Sequence, residues 1–139
     1  MLLGMIAGSL ATLLGSADPL MAAGPAPFSS GRLQISRRGA LGPAGRDIVL
    51  IPGLASGPAI WNGLADRLPG HRLHLVHVAG FARLPAGANA SGPLLTPLAD
   101  ELALYIRSRS LRAPVLIGHS MGGTLAMLLG LRPPRRSAG

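Results

Sequence analysis

The sequence predicts an α/β protein built on a mostly parallel sheet, with crossover helices packed on the faces of the sheet. Short apolar runs that suit strands buried on both faces alternate with longer segments of helical periodicity. Glycine and proline mark the boundaries between these segments, where the chain must turn. From residue 47 the order is strand, helix, strand, helix, strand, helix, which favours parallel strands joined by right-handed crossovers.

Length and composition allow a single folded domain. The chain has 139 residues and is 48% hydrophobic, which is ample for one core. We expect residues 1–23 to be a signal peptide or an apolar anchor, and residues 24–45 a linker with an edge strand. Residues 46–131 are then the α/β domain, and residues 132–139 an aberrant or disordered tail rich in Arg and Pro.

The N-terminal segment predicts export. Met1–Ala17 carries no charged residue and is followed by small residues, a pattern typical of secretory signals that are cleaved after a residue such as Ala17 or Ala23. The basic residues that usually precede the apolar part are absent. A run of about 17 apolar residues also reaches the lower limit for a membrane span. We therefore expect a periplasmic or secreted protein, with an uncleaved membrane anchor as the alternative.

The charge pattern and the cysteine content of the sequence indicate which partners and cofactors to expect. The formal net charge is +8, and all 13 basic residues are arginines scattered along the chain, without a basic stripe or interleaved aromatic residues. We therefore expect no nucleic-acid partner. The absence of cysteine excludes a disulfide framework, a thiolate zinc site and a cysteine nucleophile. No metal, nucleotide or flavin pattern is present, so we expect no cofactor.

Up to residue 68 the sequence predicts an edge strand in the linker, then a buried strand and a helix of the domain. Arg32–Ser36 alternates polar and apolar residues, as a short edge strand does. Asp47–Ile51 is a continuous apolar run that suits a strand buried on both faces, and Pro52 ends it. Ala59–Leu68 has helical periodicity up to the Pro69-Gly70 stop signal.

The second half repeats the alternation. Arg72–Val78 predicts a strand, and a loop rich in Pro, Gly and Asn covers Arg83–Pro93. Leu94–Ser108 is an amphipathic helical pattern. Pro114–Gly118 predicts a third buried strand, and Gly122–Leu131 has helical composition.

A serine lies at the junction between the last predicted strand and the last predicted helix. The sequence Gly118-His119-Ser120-Met121-Gly122 matches G-x-S-x-G in this strand-to-helix context. So tight a turn strains the serine backbone, and Gly118 and Gly122 avoid collisions on either side. The hydroxyl of Ser120 would project above the sheet, with the N–H of Met121 directed at a developing oxyanion. The alternative is an ordinary turn in which the serine caps the helix.

A second loop is predicted at the same edge of the sheet. Pro52–Gly57 follows the first buried strand, and the backbone N–H of Leu54 can be directed at the same oxyanion position. Ligands of open α/β sheets bind at the carboxyl ends of the strands. The alternative is a plain turn.

At these residues the chain resembles the α/β-hydrolase superfamily. The stretch IVLIPGLASGPAIWNGLADRL is similar to the strand, oxyanion loop and helix of that family, and APVLIGHSMGGTLAMLLGLR to its nucleophile elbow. The resemblance covers about Leu33–Leu131 and implies hydrolysis of a small-molecule ester, amide or related bond. It implies Ser120 as the nucleophile and the N–H groups of Leu54 and Met121 as oxyanion donors. Family members often have His-Gly where this chain has Pro52-Gly53, but a backbone donor tolerates that change.

The partners that a nucleophilic serine needs are missing downstream. Its hydroxyl requires a histidine base, and the histidine requires a carboxylate. The family order is serine, acid, histidine, yet no Asp, Glu or His follows Ser120. We therefore expect the N-terminal half of a serine hydrolase, truncated or frameshifted after about Leu131, with a sheet incomplete on its C-terminal side and little turnover. The alternative function is a non-catalytic, exported or membrane-associated basic binding fragment.

The four histidines all precede the serine. His71, His74 and His77 are three residues apart in a strand, where that spacing alternates between faces and predicts no metal site. His119 adjoins Ser120, so its side chain points away from the nucleophile and suits a structural role.

Overall fold

A computed structural model describes residues 27–132. Its five strands are β1 (Phe28–Ser29), β2 (Leu33–Arg38), β3 (Asp47–Ile51), β4 (Arg72–Val78) and β5 (Val115–Gly118). The α-helices are α1 (Asn62–Ala65), α2 (Leu95–Ser108) and α3 (Met121–Gly130), and short 3-10 helices cover Pro58–Trp61 and Gly87–Asn89.

The strands form one mixed sheet in the order β1-β2-β4-β3-β5. The central strand β3 pairs in parallel with β4 and with β5, while β2 is antiparallel to β4 and β1 to β2. The predicted α/β class is confirmed, and the sheet is mixed, with two parallel and two antiparallel pairings among its five described strands. The strand predicted over Arg32–Ser36 lies inside the sheet and not at its edge, because β1 pairs with its outer side.

Strand register determines which loops meet. Ile51 at the end of β3 lies opposite Gly118 at the end of β5. The loop that follows β3 and the turn that follows β5 therefore leave the same edge of the sheet side by side. The backbone N–H of His119 donates to the carbonyl of Ile51 at 3.1 Å, which extends this pairing one residue beyond β5.

Both faces of the sheet are covered by apolar side chains, as strands buried on both faces require. Helices α2 and α3 pack on one face, and the 3-10 helix with α1 packs on the other. Alternation along β3 sends Val49 and Ile51 to the first face and Ile48 and Leu50 to the second. The first cluster contains Leu33, Ile35, Val49, Ile51, Val76, Val78, Leu98, Ala99, Leu102, Tyr105, Leu111 and Leu125, and the second Ile48, Leu50, Trp61, Ala65, Leu73 and Leu75.

The helix predicted over Ala59–Leu68 is shorter than its periodicity indicated. It begins as a 3-10 turn at Pro58 and becomes α-helical only over Asn62–Ala65. Gly63 lies inside this stretch and weakens it, since glycine is about 1 kcal/mol less favourable than alanine within a helix. After α1 the backbone hydrogen bonds again join residues three apart, as in a 3-10 helix: the N–H of Arg67 donates to the carbonyl of Leu64.

The strand predicted over Arg32–Ser36 is Leu33–Arg38, two residues longer at its end, and the other predicted elements agree with the structure to within one residue at each end. The strands over Asp47–Ile51 and Arg72–Val78 have the predicted bounds, and α2 begins one residue after the predicted Leu94. The predicted signal or anchor at 1–23 lies outside the described residues, as does most of the predicted tail. Within residues 27–132, no helix has the length and apolar character that a membrane crossing requires.

Candidate active site

The turn between β5 and α3 has an unusual backbone at Ser120, with φ of 53° and ψ of −119°. Positive φ is rare for a residue with a side chain, and this conformation costs on the order of 1–3 kcal/mol. Two hydrogen bonds close the turn: the N–H of Gly122 donates to the carbonyl of His119 at 2.9 Å, and that of Gly123 to the carbonyl of Ser120 at 2.8 Å. The surrounding structure therefore stabilises a strained serine.

Glycine is sterically required on both sides of this serine. A Cβ at Gly118 would lie 2.1 Å from the carbonyl carbon and oxygen of Gly122. A Cβ at Gly122 would lie 2.1 Å from the carbonyl oxygen of Ile51. Because these obstacles are backbone atoms, they cannot move aside as a flexible side chain can. The close packing of β5, α3 and the end of β3 thus depends on both predicted glycines.

Ser120 does not behave as a helix cap. A capping serine has extended backbone and accepts a hydrogen bond from the second or third N–H of the helix, whereas Ser120 has positive φ and makes no such bond. Ser120 is exposed, and no side chain among residues 27–132 hydrogen-bonds its hydroxyl. The geometry therefore does not favour the capping alternative, and the hydroxyl is available to a ligand.

The loop after β3 lies against the serine turn. A Cβ at Gly53 would lie 3.2 Å from the Cβ of Ser120 and 2.8 Å from Nδ1 of His119. The next residues form a turn in which the N–H of Ser56 donates to the carbonyl of Gly53 at 3.1 Å and Ala55 has φ of 60°. We name residues 52–57 the β3 loop.

Two backbone donors remain unused near the hydroxyl. In the part of the chain that the structure describes, neither the N–H of Leu54 nor that of Met121 has a hydrogen-bond acceptor. Leu54 follows Gly53, which touches Ser120, and Met121 is the first residue of α3. The positive end of the α3 dipole adds to these donors. Such an arrangement can stabilise an oxyanion formed at a carbonyl that the hydroxyl attacks.

The histidines outside the core have separate contacts. Nδ1 of His71 accepts the N–H of Arg46 at 3.1 Å, and Nε2 of His77 lies 3.0 Å from the carbonyl oxygen of Phe81. His119 is exposed beside Gly53. None of these rings hydrogen-bonds Ser120 in the described part of the chain. Residues 27–132 contain no group of three potential ligands that could hold a metal ion.

A sequence model for the family described as the alpha/beta hydrolase fold matches residues 48–138. The chain belongs to the α/β hydrolase family. The matched range contains β3 from its second residue, and then the β3 loop, β4, α2, β5, the serine turn and α3.

Relatives of this α/β hydrolase include proteins named as esterases. It is 37% identical over 95 residues to a pimeloyl-(acyl-carrier protein) methyl ester esterase of Aeromonas salmonicida, covering 66% of this chain and 35% of that protein. It is 32% identical over 99 residues to the esterase of the same name from Sodalis glossinidius, covering 70% of this chain and 36% of that protein. The solved structure of a marine microorganism esterase is 27% identical, with a TM-score of 0.59 over 72% of this chain and 36% of that chain. The α/β hydrolase chain thus spans about a third of the length of the curated relatives it matches.

The α/β hydrolase core also holds a polar network that the sequence patterns did not reveal. His74 in β4 is buried, with Nε2 2.7 Å from Oδ1 of Asp47 and Nδ1 2.6 Å from the hydroxyl of Tyr105. Arg72 donates to both oxygens of the same carboxylate, at 2.6 and 3.0 Å. The network joins the first residues of β3 and β4 to α2. One feature of the sequence pointed to this network, namely the aspartate at the start of a buried strand. A polar group in such a place needs hydrogen-bond partners.

The protonation states in this network follow from burial and pairing. Burial lowers the pKa of His74 more than the hydrogen bond to Asp47 raises it. A neutral ring donates from Nε2 to Asp47 and accepts the hydroxyl proton of Tyr105 at Nδ1. Burial raises the pKa of the Asp47 carboxyl, but the hydrogen bonds from Arg72 and His74 outweigh it and hold that pKa below its ordinary value. The polar side-chain atoms of Asp47, His74 and Tyr105 therefore all have partners of the right kind.

A cleft of about 940 Å³ lies away from the serine turn, between α2, β5 and α3. Its lining includes Ile106, Leu116 and Leu129, and it does not include Ser120, Leu54 or Met121. The cleft therefore does not place a substrate at the exposed hydroxyl.

Proposed function

We propose that this chain carries the nucleophile and the oxyanion donors of a serine esterase. The observation that carries the proposal is the strained, uncapped Ser120, whose exposed hydroxyl lies where the β3 loop meets the amino terminus of α3. Strain of this kind, held in place by its surroundings, is concentrated at active sites because it keeps reacting groups in position. The esterase names of the relatives support a carboxylic ester as the substrate class.

The proposed reaction proceeds through an acyl-enzyme. The oxygen of Ser120 forms a bond to the ester carbonyl carbon, and the carbonyl electron pair moves onto its oxygen. The N–H groups of Leu54 and Met121 hold that oxyanion. When the pair returns, the bond to the alcohol oxygen breaks and the alcohol leaves with the proton lost by the serine. Water then attacks the acyl carbon, which releases the acid and restores the hydroxyl.

Turnover by the 139-residue polypeptide is expected to be slow. A positioned base contributes about 10²- to 10⁴-fold to such a rate. No Asp, Glu or His follows Ser120 in the sequence, and no described imidazole hydrogen-bonds its hydroxyl. We expect both acylation by an activated ester and release of the acyl group to be slow, because the same base serves both steps.

The substrate contacts of the proposed site are apolar on one side. Leu54 is 64% exposed, beside Gly53, which packs against Ser120. An exposed leucine next to a reacting hydroxyl suits the hydrocarbon part of an ester. The relative from Aeromonas salmonicida is named for a methyl ester, and a short alcohol group is the proposal here too.

Covalent labelling tests the proposal. We expect an alkyl fluorophosphonate to add one phosphonyl group to the full chain, mapped by mass spectrometry to Ser120, and to add none to Ser120→Ala. Ser36→Ala is the matched control, since Ser36 is an exposed serine in β2, and it should label like the wild type. A folded wild-type chain that takes no label, or takes it equally in Ser120→Ala, would contradict the proposal. Ester turnover at the rate of intact esterases would contradict the expected need for a base.

A further inference from the structure

The β3 loop is held at both of its ends, and only one end touches the serine turn. At the near end Gly53 packs against Ser120 and His119. At the far end a Cβ on Gly57 would lie 2.7 Å from the Cβ of Ala82, so the loop backbone lies directly on that methyl group. Ala82 belongs to the connection that follows β4. The position of Leu54 between these ends therefore depends on a second loop, the one that follows β4.

This second loop is itself strained. The N–H of Leu84 donates to the carbonyl of Phe81 at 2.9 Å, which closes a four-residue turn around Ala82 and Arg83. Both central residues have positive φ, 44° and 70°. Turns of this kind strongly favour glycine or asparagine at those positions. A turn built from alanine and arginine needs support from its surroundings.

His77 supplies that support. Its Nε2 lies 3.0 Å from the carbonyl oxygen of Phe81, and because a carbonyl only accepts, the ring N–H is the donor. The same nitrogen lies 3.7 Å from the position of a Cβ on Gly57. His77 is half-buried near the end of β4, a rigid part of the sheet. One ring therefore fixes the strained turn and adjoins the far end of the β3 loop.

We propose that His77 is a positioning residue for the esterase reaction, which holds the Phe81–Leu84 turn against Gly57 and thereby keeps the N–H of Leu54 directed at the oxyanion. The inference rests on the proposed function of Ser120. It assigns a role to a histidine that neither binds the substrate nor acts as a base. The hydrogen bond, not the charge of the ring, performs the role, so a neutral donor of similar reach replaces it.

Three variants of the full chain test the proposal. His77→Leu removes the donor at similar volume, and His77→Gln keeps an N–H near the same place. His71→Leu is the matched control, since it removes a histidine from the opposite end of β4. Hydrogen exchange of peptides covering 53–57 and 81–84 reports on the two loops. The labelling of Ser120 by the fluorophosphonate gives two quantities, a first-order rate constant and the concentration that gives half-saturation. The first-order rate constant reports on the oxyanion donor.

For His77→Leu we expect exchange in both peptides to accelerate about tenfold, because a hydrogen bond that restrains local opening is lost. We expect the labelling rate to fall about tenfold, since misplacing one oxyanion donor costs less than the 10²- to 10³-fold of removing it. The half-saturating concentration should change less than about twofold, because the bound ground state does not use the oxyanion donors. His77→Gln should restore both readouts, and His71→Leu should leave them unchanged.

Each other outcome has a distinct meaning. Unchanged exchange at 53–57 in folded His77→Leu overturns the proposal, and so does faster exchange with an unchanged labelling rate, since the histidine would then hold the loop without positioning the donor. A wild-type chain that takes no label removes the esterase proposal and the positioning role with it, whatever the exchange shows. If His77→Leu does not fold, His77→Asn gives the same test, because its shorter amide does not reach the carbonyl oxygen of Phe81 that Nε2 of His77 meets at 3.0 Å.

Discussion

The two ends of the sheet differ in how their polar groups and backbone strain are arranged. At the amino-terminal ends of the parallel strands, Arg72 takes part in a network in which the polar side-chain atoms of Asp47, His74 and Tyr105 all have partners. At the carboxyl-terminal ends, Ser120 has an unbonded hydroxyl and an unfavourable φ. Free donors and backbone strain are the features expected of a reactive edge. Paired polar groups are the feature expected of a stabilising edge.

The distribution of positive φ sharpens this difference. Of the six described non-glycine residues with positive φ, four lie in the loops at the carboxyl edge: Ala55, Ala82, Arg83 and Ser120. The other two, Ser110 and Ala113, lie in the connection from α2 to β5. Ser110 follows the end of α2, where a left-handed residue commonly terminates a helix. Strain outside the reactive edge therefore has an ordinary local cause in at least one case.

The largest effect is expected from a methyl group added at the serine turn between β5 and α3. Gly122→Ala sets a Cβ 2.1 Å from the carbonyl oxygen of Ile51, and the backbone must shift to accept it. We expect a loss of about 3 kcal/mol or more in the free energy of unfolding, together with loss of Ser120 labelling. Urea denaturation and mass spectrometry measure the two effects.

Gly130→Ala is the control for that variant, because it adds a methyl group to the same helix where nothing lies within 4 Å. It should keep full labelling and a stability within about 1 kcal/mol of the wild type. If Gly122→Ala has the same free energy of unfolding and the same Ser120 labelling as Gly130→Ala, then Gly122 does not pack closely against Ile51 as described.

A smaller effect, confined to stability, is expected at the other end of the sheet. Tyr105→Phe keeps the buried ring and removes the hydroxyl that donates to Nδ1 of His74 at 2.6 Å. A buried acceptor left without a partner costs about 1–3 kcal/mol. We therefore expect the free energy of unfolding to fall by that amount while Ser120 is labelled at the wild-type rate. A change in labelling rate without a change in stability would contradict the division between the two edges.

The elements that depend on local sequence were predictable, and those that depend on register were not. The strand over Asp47–Ile51 has the expected bounds because an apolar run ends at a proline, a signal contained within seven residues. The G-x-S-x-G motif placed a serine between β5 and α3 for the same local reason. By contrast, His74 meets Asp47 and Tyr105 across 27 and 31 residues of chain, and only the pairing of strands and the packing of α2 bring them together.

Loop contacts were beyond prediction for a related reason. Gly57 and Ala82 give no periodic signal, and their contact follows from how two loops leave neighbouring strands. The short α1 shows the opposite error, in which periodicity was present but the α-helix, which contains Gly63, is only one turn long. Pattern therefore indicates which residues are buried more reliably than it indicates the length of a helix.

The smallest effect is a dependence of stability on pH that arises at the amino-terminal edge. Burial lowers the pKa of His74 below its ordinary 6.5, so the unfolded chain binds a proton at a pH where the folded chain does not. The stabilisation is therefore fully present above about pH 6.5 and is lost as the pH falls toward the lowered pKa of the folded state. Asp47, whose pKa is also lowered, loses its contribution in the same direction, but only below its ordinary 3.8. Urea midpoints measured from about pH 7.5 down to about pH 4.5 should consequently decrease, mainly through His74.

His74→Gln separates this contribution from that of other titrating groups. The amide can still donate to Asp47, but it binds no proton in this range, so the decrease between about pH 6.5 and 4.5 should become shallower than in the wild type. The labelling rate of Ser120 should be the same in both proteins at each pH, because the network lies at the edge that carries no reacting group. Equal slopes in the two proteins would mean that His74 is not buried as a neutral ring. A steeper loss of labelling in His74→Gln would mean that the two edges are coupled through β3, whose first residue belongs to the network and whose last residue supports the elbow.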